Sequence, residues 1–313
     1  MIYKKILFYT LIVALVALGG YQLIKANSRV DGTVMGAAIN SVYSEKVIAA
    51  HKPPRRKSGA IDPKIYAQSA ILIDEETKYP LYAKGADTAV PIASITKVMT
   101  ALVSLDTYKL NEVIEVKQES TEVEGSKIEL VAGEKIKVEN LLYGLLMNSG
   151  NDAAKTLASG RGSEESFVAA MNKKANELGL KNTKFYDPAG LNDQGHSSAF
   201  DVAILFTYAI KDETFVKIVN TAEKEISSED ALVSHQLKSS NRLVNGEMPL
   251  GGVIGGKTGF TPDAGHTLVC AASKDGHTLI SVILKTASNT KEASAEETQK
   301  LLAWGLESFD FFE

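Results

Sequence analysis

Three short stretches of the 313-residue sequence place hydroxyls, amines and amides at spacings that chemistry can use. In "VPIASITKVMTALVSL", residues 90–105, Ser94 and Lys97 stand three positions apart in an otherwise apolar run. Positions i and i+3 share a helix face, so the Ser94 hydroxyl and the Lys97 amine can meet. A helix that is apolar on every side is buried. Burial lowers the proton affinity of a lysine, and a neutral amine beside a hydroxyl is a general base beside its nucleophile. A helix N-terminus also favours the negative charge of an oxyanion. In "LLMNSGNDAAKTLA", Ser149 and Asn151 fall between two helical stretches and can present a hydroxyl and an amide to a cleft. In "GGVIGGKTGFTPDAGHTLV", Lys257 and Thr258 offer a cation and a hydroxyl to an anionic group. Gly259 lets a substrate backbone lie close to the strand.

Each stretch alone has a plainer reading. Ser94 can cap a helix from which Lys97 reaches out to water, and Ser149 and Asn151 are good capping residues. S-x-x-K arises about once by chance in a chain of this length. Ser288–Lys291 repeats it here, and Ser239–Asn241 repeats S-x-N. All three motifs in this order, each in fitting context, point to a catalytic serine with its base.

The elements that must position these groups are legible from patterning. Residues 90–105 read as a buried helix with Pro91 in its first turn. "AQSAILIDEETKYPLYAKGAD" alternates, turns at residues 75–78 and alternates again, and "HTLVCAASKDGHTLISVILKT" turns at an Asp-Gly pair; both are hairpin signals. Helical periodicity covers 139–147, 152–159, 164–178 and 200–210, and an amphipathic helix closes the chain. Strands near both ends with helices between predict an α+β fold: an antiparallel sheet formed by the two chain ends, carrying an inserted helical lobe.

Composition is that of an ordinary globular protein, with 44% hydrophobic and 23% charged residues. A net charge of −4 argues against nucleic acid as a partner. The single cysteine, Cys270, rules out an intrachain disulfide and reads as a packed core thiol. Residues 1–26 carry Lys4 and Lys5 and then a long apolar stretch, which predicts a signal sequence or N-terminal membrane anchor. From Ile6 to Ile24 a helix would span about 28 Å, near a bilayer core, which favours the anchor. Ala17, Gly19 and Gly20 offer small residues for cleavage instead. Residues 27–61, with their Pro-rich basic cluster, read as a flexible linker with a reach of about 30 Å, and 62–313 as one catalytic domain. Either fate of the N-terminus puts that domain outside the cytoplasm. The five histidines form no ligand cluster, so no metal is expected.

S-x-x-K, S-x-N and K-T-G together resemble the signature of penicillin-binding proteins and serine β-lactamases. "AILIDEETKYPLYAKGADTAVPIASITKVMTALV", "LLYGLLMNSGNDAAKTLA" and "FYDPAGLNDQGHSSAFDVAIL" are further similar to the low-molecular-mass D-alanyl-D-alanine carboxypeptidases, peptidase family S11. The resemblance runs from about Gln68 to the C-terminus. It implies a β-lactamase/DD-peptidase-like fold, no cofactor, and the D-Ala-D-Ala end of a peptidoglycan stem peptide as substrate, with β-lactams as covalent inhibitors. It implies Ser94 as nucleophile, Lys97 as its base and Ser149 as a proton relay. Asn151 would hold the substrate amide. Lys257 would help keep Lys97 neutral and bind substrate, and Thr258 would bond the terminal carboxylate. The N–H groups of Ser94 and Phe260 would form the oxyanion hole.

Departures bear on the outcome. Many relatives carry Asn-x-Asn-x-Leu before K-T-G, whereas this chain has "SSNRLV", with Ser240 at the middle position and Arg242 beyond it. Arg242 reads as a surface residue and His196 as a structural one. Many relatives also continue into a β-rich domain and a membrane helix; this sequence stops at Glu313, so any anchorage is expected from the N-terminus. A β-lactamase would need a deacylating glutamate, and the nearest candidate, Glu177 in "ELGLKN", lacks the matching asparagine. A non-catalytic sensor of the wall would have no use for a nucleophile with its base.

Overall fold

The computed structural model describes residues 52–288 and 290–312. The expected anchor at 1–26, and the linker up to residue 51, lie outside them.

Both chain ends enter one sheet. Strands β1 (Ser69–Asp74) and β2 (Pro80–Lys84) come from the N-terminal side, and β3 (Val253–Thr261), β4 (Gly265–Lys274) and β5 (His277–Leu284) from the C-terminal side. The order is β3-β4-β5-β1-β2, with every pairing antiparallel. The β4–β5 loop is the two residues Asp275 and Gly276, with φ of 52° and 84°. Two positive φ values define the turn whose twist matches the flanking strands, and an Asp-Gly pair tolerates it. At the other hairpin the Asp74 carboxylate accepts the Thr77 N–H at 2.9 Å and closes the turn.

Both sheet faces are covered, so β1 is buried throughout rather than half exposed. Ile71, Ile73, Val269, Ala271, Ile280 and Val282 face one core with the helices α1 (Thr96–Thr107) and α5 (Ala199–Ala209). Ala70, Leu72, Leu268, Cys270, Leu279 and Ile283 face a second core against Leu301 and Leu302 of α7 (Ala293–Ser308). Each fully buried aliphatic side chain there contributes ~1.5–3 kcal/mol. Cys270 is a core thiol, its pKa pushed up to about 12 by burial.

The inserted lobe holds α2 (Val138–Met147), α3 (Asn151–Ser159) and α4 (Glu164–Glu177), followed by α5 and the short α6 (Glu213–Val219). The folded unit begins before residue 62: Arg55–Arg56 pairs antiparallel with Phe309–Asp310. The Arg56 guanidinium lies 5.5 Å over the Trp304 ring and pairs with Asp62 at 2.8 Å.

The start of α1 departs from the sequence-based expectation. Val90–Pro91 form a two-residue strand against His196–Ser197, so Pro91 precedes the helix. Ala93–Ile95 then make a single 3₁₀ turn before α1 begins at Thr96. The physical reason is Ala93, whose φ of 49° no right-handed helix accommodates.

Candidate active site

Two strained backbone positions mark the site. Ala93, next to Ser94, and Ser149 itself have φ of 49° and 60°, in the left-handed region that residues other than glycine avoid. Such conformations persist only where surrounding structure enforces them, and they gather at functional sites. Ala93 is held by residues 187–192, the loop "DPAGLN". A Cβ on Gly190 would lie 2.0 Å from the Ala93 carbonyl oxygen, so only glycine lets the two backbones meet. The Asp187 carboxylate shapes this loop by accepting the N–H groups of Ala189 (2.7 Å), Gly190 (2.6 Å), Leu191 (3.2 Å) and Asn192 (2.8 Å). Thr100, one turn into α1, donates to the Pro188 carbonyl at 2.6 Å and clamps the loop onto the helix.

Lys97 is fully buried. Its Nζ lies 2.7 Å from Ser94 Oγ, 2.8 Å from Asn151 Oδ1 and 2.7 Å from the Ala189 carbonyl oxygen. An ammonium has three N–H donors, whereas a neutral amine has two and a lone pair. Asn151 and Ala189 supply two acceptors for the two N–H groups of the neutral form. The lone pair then faces the Ser94 hydroxyl. Burial drives the Lys97 pKa down to about 7, against the opposing pull of the Asp187 and Asp152 charges. The neutral, proton-accepting form is therefore accessible near neutral pH, far below the ordinary lysine range.

Ser149 sits between α2 and α3, and Asn151 is the first residue of α3. The Asp152 carboxylate beside them is buried and accepts the N–H groups of Ile128 and Leu130, which ties this junction to the neighbouring loop. Asn151 Nδ2 donates to the Glu124 carbonyl at 2.6 Å, leaving its second proton for a ligand. Ser149 Oγ accepts from Lys257 Nζ at 3.0 Å, so its hydrogen bond joins it to the second lysine, not to Lys97.

Lys257 lies on β3, at the outer edge of the sheet. An edge strand presents unpaired backbone groups along which an extended peptide can lie. Lys257 is buried, and its pKa is pushed well below the ordinary lysine value, first by burial and then by the charge of Lys97. Among the described residues no carboxylate offsets this, so an arriving anion would restore its charge. For Lys97 itself burial, not Lys257, is the leading cause, which shifts the emphasis of the sequence-based expectation. The Thr258 hydroxyl lies 2.7 Å from that of Ser240, forming a pair beside Lys257. A Cβ on Gly259 would come within 3.0 Å of the Ser94 nitrogen and 2.6 Å of Thr267 Oγ1. Gly259 thus has a task on the inner side of the strand, where it leaves room for the nucleophile turn. Phe260 is exposed and stacks on His266 with ring centroids 4.4 Å apart.

The duplicate motifs do not join this cluster. Ser288 is exposed, with its hydroxyl 3.2 Å from that of Thr290. Ser239 and Asn241 are buried and brace a loop. Arg242 is held at the surface by Glu247 and Glu292, as expected. Glu177 ends α4 and pairs with Lys173 at 3.6 Å. His196 Nδ1 lies 2.8 Å from the Gln194 carbonyl oxygen, in keeping with a structural role.

Sequence reasoning missed Asp187, Asp152, the Ala189 carbonyl and the contribution of Ser240. Only the "DPAG" turn chemistry carried a signal, since Asp and Pro favour turns and Gly the left-handed region.

The fold and the site together define a serine acyl-transfer enzyme of the penicillin-binding class. The D-alanyl-D-alanine carboxypeptidase family (peptidase S11) matches residues 56–288, and the chain belongs to it. The carboxypeptidase DacF of Bacillus subtilis is 38% identical over 242 residues, covering 75% of this chain and 61% of its own length. A D-alanyl-D-alanine endopeptidase of Pseudomonas aeruginosa is 34% identical, with 69% of this chain and 70% of that protein covered. The crystal structure of the Streptomyces K15 DD-transpeptidase superposes with a TM-score of 0.72 at 31% identity, covering 79% of this chain and 99% of that one.

Proposed function

We propose that this protein is a serine-type D-Ala-D-Ala carboxypeptidase that removes the terminal D-alanine from peptidoglycan stem peptides through an acyl-enzyme on Ser94. The observation that carries the reading is the buried Lys97 amine, 2.7 Å from Ser94 Oγ, with acceptors for both of its remaining protons. Membership of the carboxypeptidase family supports the substrate class.

In this mechanism the substrate extends along the β3 edge, with its terminal carboxylate at Lys257, Thr258 and Ser240 and an upstream amide at Asn151. Lys97 takes the Ser94 proton as Oγ attacks the penultimate carbonyl carbon. The N–H groups of Ser94 and Phe260 stabilise the oxyanion, a type of interaction worth about 2.7–4 kcal/mol per donor. The tetrahedral adduct collapses, the C–N bond breaks, and the departing amine takes a proton from Lys97. Ser149, bonded to Lys257, connects that step to the second lysine. Water then attacks the ester carbon as Lys97 takes its proton, and Lys97 passes that proton to Ser94 Oγ as the ester C–O bond breaks, which regenerates both groups. β-Lactams enter the same path as covalent inhibitors.

The proposed substrate class supports a location outside the cytoplasm, and the Lys-led apolar stretch at 1–26 supports membrane anchorage there. The test of the reading is labelling with a fluorescent penicillin together with D-alanine release from a stem pentapeptide. Ser94→Ala abolishes both while the far-ultraviolet spectrum stays unchanged. Labelling that survives in Ser94→Ala but disappears in Ser288→Ala would overturn the assignment.

A further inference from the structure

A cavity of about 350 Å³ opens beside Asn151. That volume lies in the range of small-ligand sites. Asn151 and Ala189, both in contact with Lys97, form part of its lining, so it adjoins the acylation site. Val123 and Leu191 give it apolar walls, Lys155 and Glu164 give it opposite charges, and the further carboxylate in the lining, Asp187, is engaged by four backbone N–H groups. Lys155 lies one turn after Asn151 on α3, hence on the same face. Glu164 is the first residue of α4, whose N-cap is Ser163.

The two charges are half-buried, and neither makes a hydrogen bond or ion pair with another described residue. They do feel each other: burial raises the Glu164 carboxyl pKa, and the Lys155 charge is the leading force opposing that rise. A partly desolvated ammonium and carboxylate that stand close without pairing suit a ligand that brings one charge of each sign. The apolar walls suit a hydrocarbon stem.

Granted the carboxypeptidase reading, we propose that this cavity is a specificity subsite for a substrate side chain that ends in both an ammonium and a carboxylate. The ammonium meets Glu164 and the carboxylate meets Lys155. The bearer is the diamino acid immediately before D-Ala-D-Ala. With the penultimate residue on Ser94 and Asn151 holding the amide before it, that diamino acid has its α-carbon about 3.8 Å further along. Its side chain then starts beside Asn151, at the cavity rim.

Three stem pentapeptides that differ only at the third position provide the test: meso-diaminopimelate with both charges, L-lysine with the ammonium alone, and L-norleucine with neither. For the intact protein, kcat/KM for the diaminopimelate peptide exceeds that for the norleucine peptide by about tenfold, mainly through KM, and lysine falls between. In Lys155→Met and in Glu164→Gln the ratio of diaminopimelate to norleucine drops towards one. A ratio unchanged in both variants overturns the proposal. So does a Glu164→Gln loss of equal size on all three peptides, which would place that carboxylate in the chemistry. Calorimetric binding to the Ser94→Ala protein reads the same preference without turnover. If the intact protein cuts no peptide while this binding preference persists and vanishes with Lys155→Met, the carboxypeptidase reading fails and the subsite stands.

Discussion

At the scale of single residues, Lys97 carries the account. Among the described residues it is the one amine hydrogen-bonded to Ser94 Oγ, and burial brings its pKa to about 7. Only its neutral form can accept a proton, so acylation by penicillin rises with pH through a midpoint near 7 and levels off above it. A stopped-flow pH profile checks this, and a rate independent of pH between 5 and 9 would contradict it. Lys97→Arg keeps the charge but cannot deprotonate. It therefore slows acylation by about 10²–10⁴-fold, as Lys97→Ala does, and near-normal acylation by the arginine variant would show that a cation suffices. These residues were legible in the sequence because a local spacing exposes them: three positions for Ser94 and Lys97, two for Ser149 and Asn151. Ser240 was not, because its hydroxyl gains meaning only when a loop eighteen positions upstream of Thr258 folds against β3.

At the scale of elements, the loop at 187–192 does most to turn these side chains into a site. Asp187 organises four of its N–H groups, and the Ala189 carbonyl then meets Lys97. Asp187→Asn loses part of the acceptor capacity for this backbone, and kcat for D-alanine release falls about tenfold or more as the loop loosens. The same change removes a negative charge that raises the Lys97 pKa, so the pH midpoint moves to lower values. A fall in kcat with no shift in the midpoint would leave Asp187 a structural role alone. The hairpins and helix periods around this loop were readable because patterning at periods of 2 and 3.6 is local. The 3₁₀ turn at Ala93–Ile95 was not, since it is imposed from a distance by the close approach of Gly190. The strands of the sheet were expected to alternate, yet β1 is buried throughout, because α7 covers one face while α1 and α5 cover the other.

At the scale of the whole molecule, the two chain ends close one sheet, and β3, the strand along which the proposed substrate extends, is left at its edge. The ends are also tied by the Arg55–Arg56 pairing with Phe309–Asp310 and by Arg56 over Trp304. A chain beginning at Ile61 loses these contacts, and its melting temperature falls by about 2–6 °C relative to one beginning at Lys52, with penicillin labelling retained. Equal melting temperatures would show that the end ribbon adds nothing. The sheet built from both ends was predictable from the placement of strand patterns; the ribbon was not, because "KPPRRKSG" carries the Pro, Gly and charge of a linker. The central claim is that one lysine serves both acylation and deacylation, with no separate carboxylate for the second step. A departed D-alanine opens the ester to water, whereas the fused remnant of a penicillin stays attached and obstructs it. Mass spectrometry of the protein after mixing with penicillin, alongside D-alanine release from a stem pentapeptide, tests this most directly. The account predicts a penicilloyl adduct on Ser94 that persists for minutes or longer while the peptide is turned over repeatedly. An adduct that clears within seconds through many turnovers, with the peptide left uncut, would contradict it.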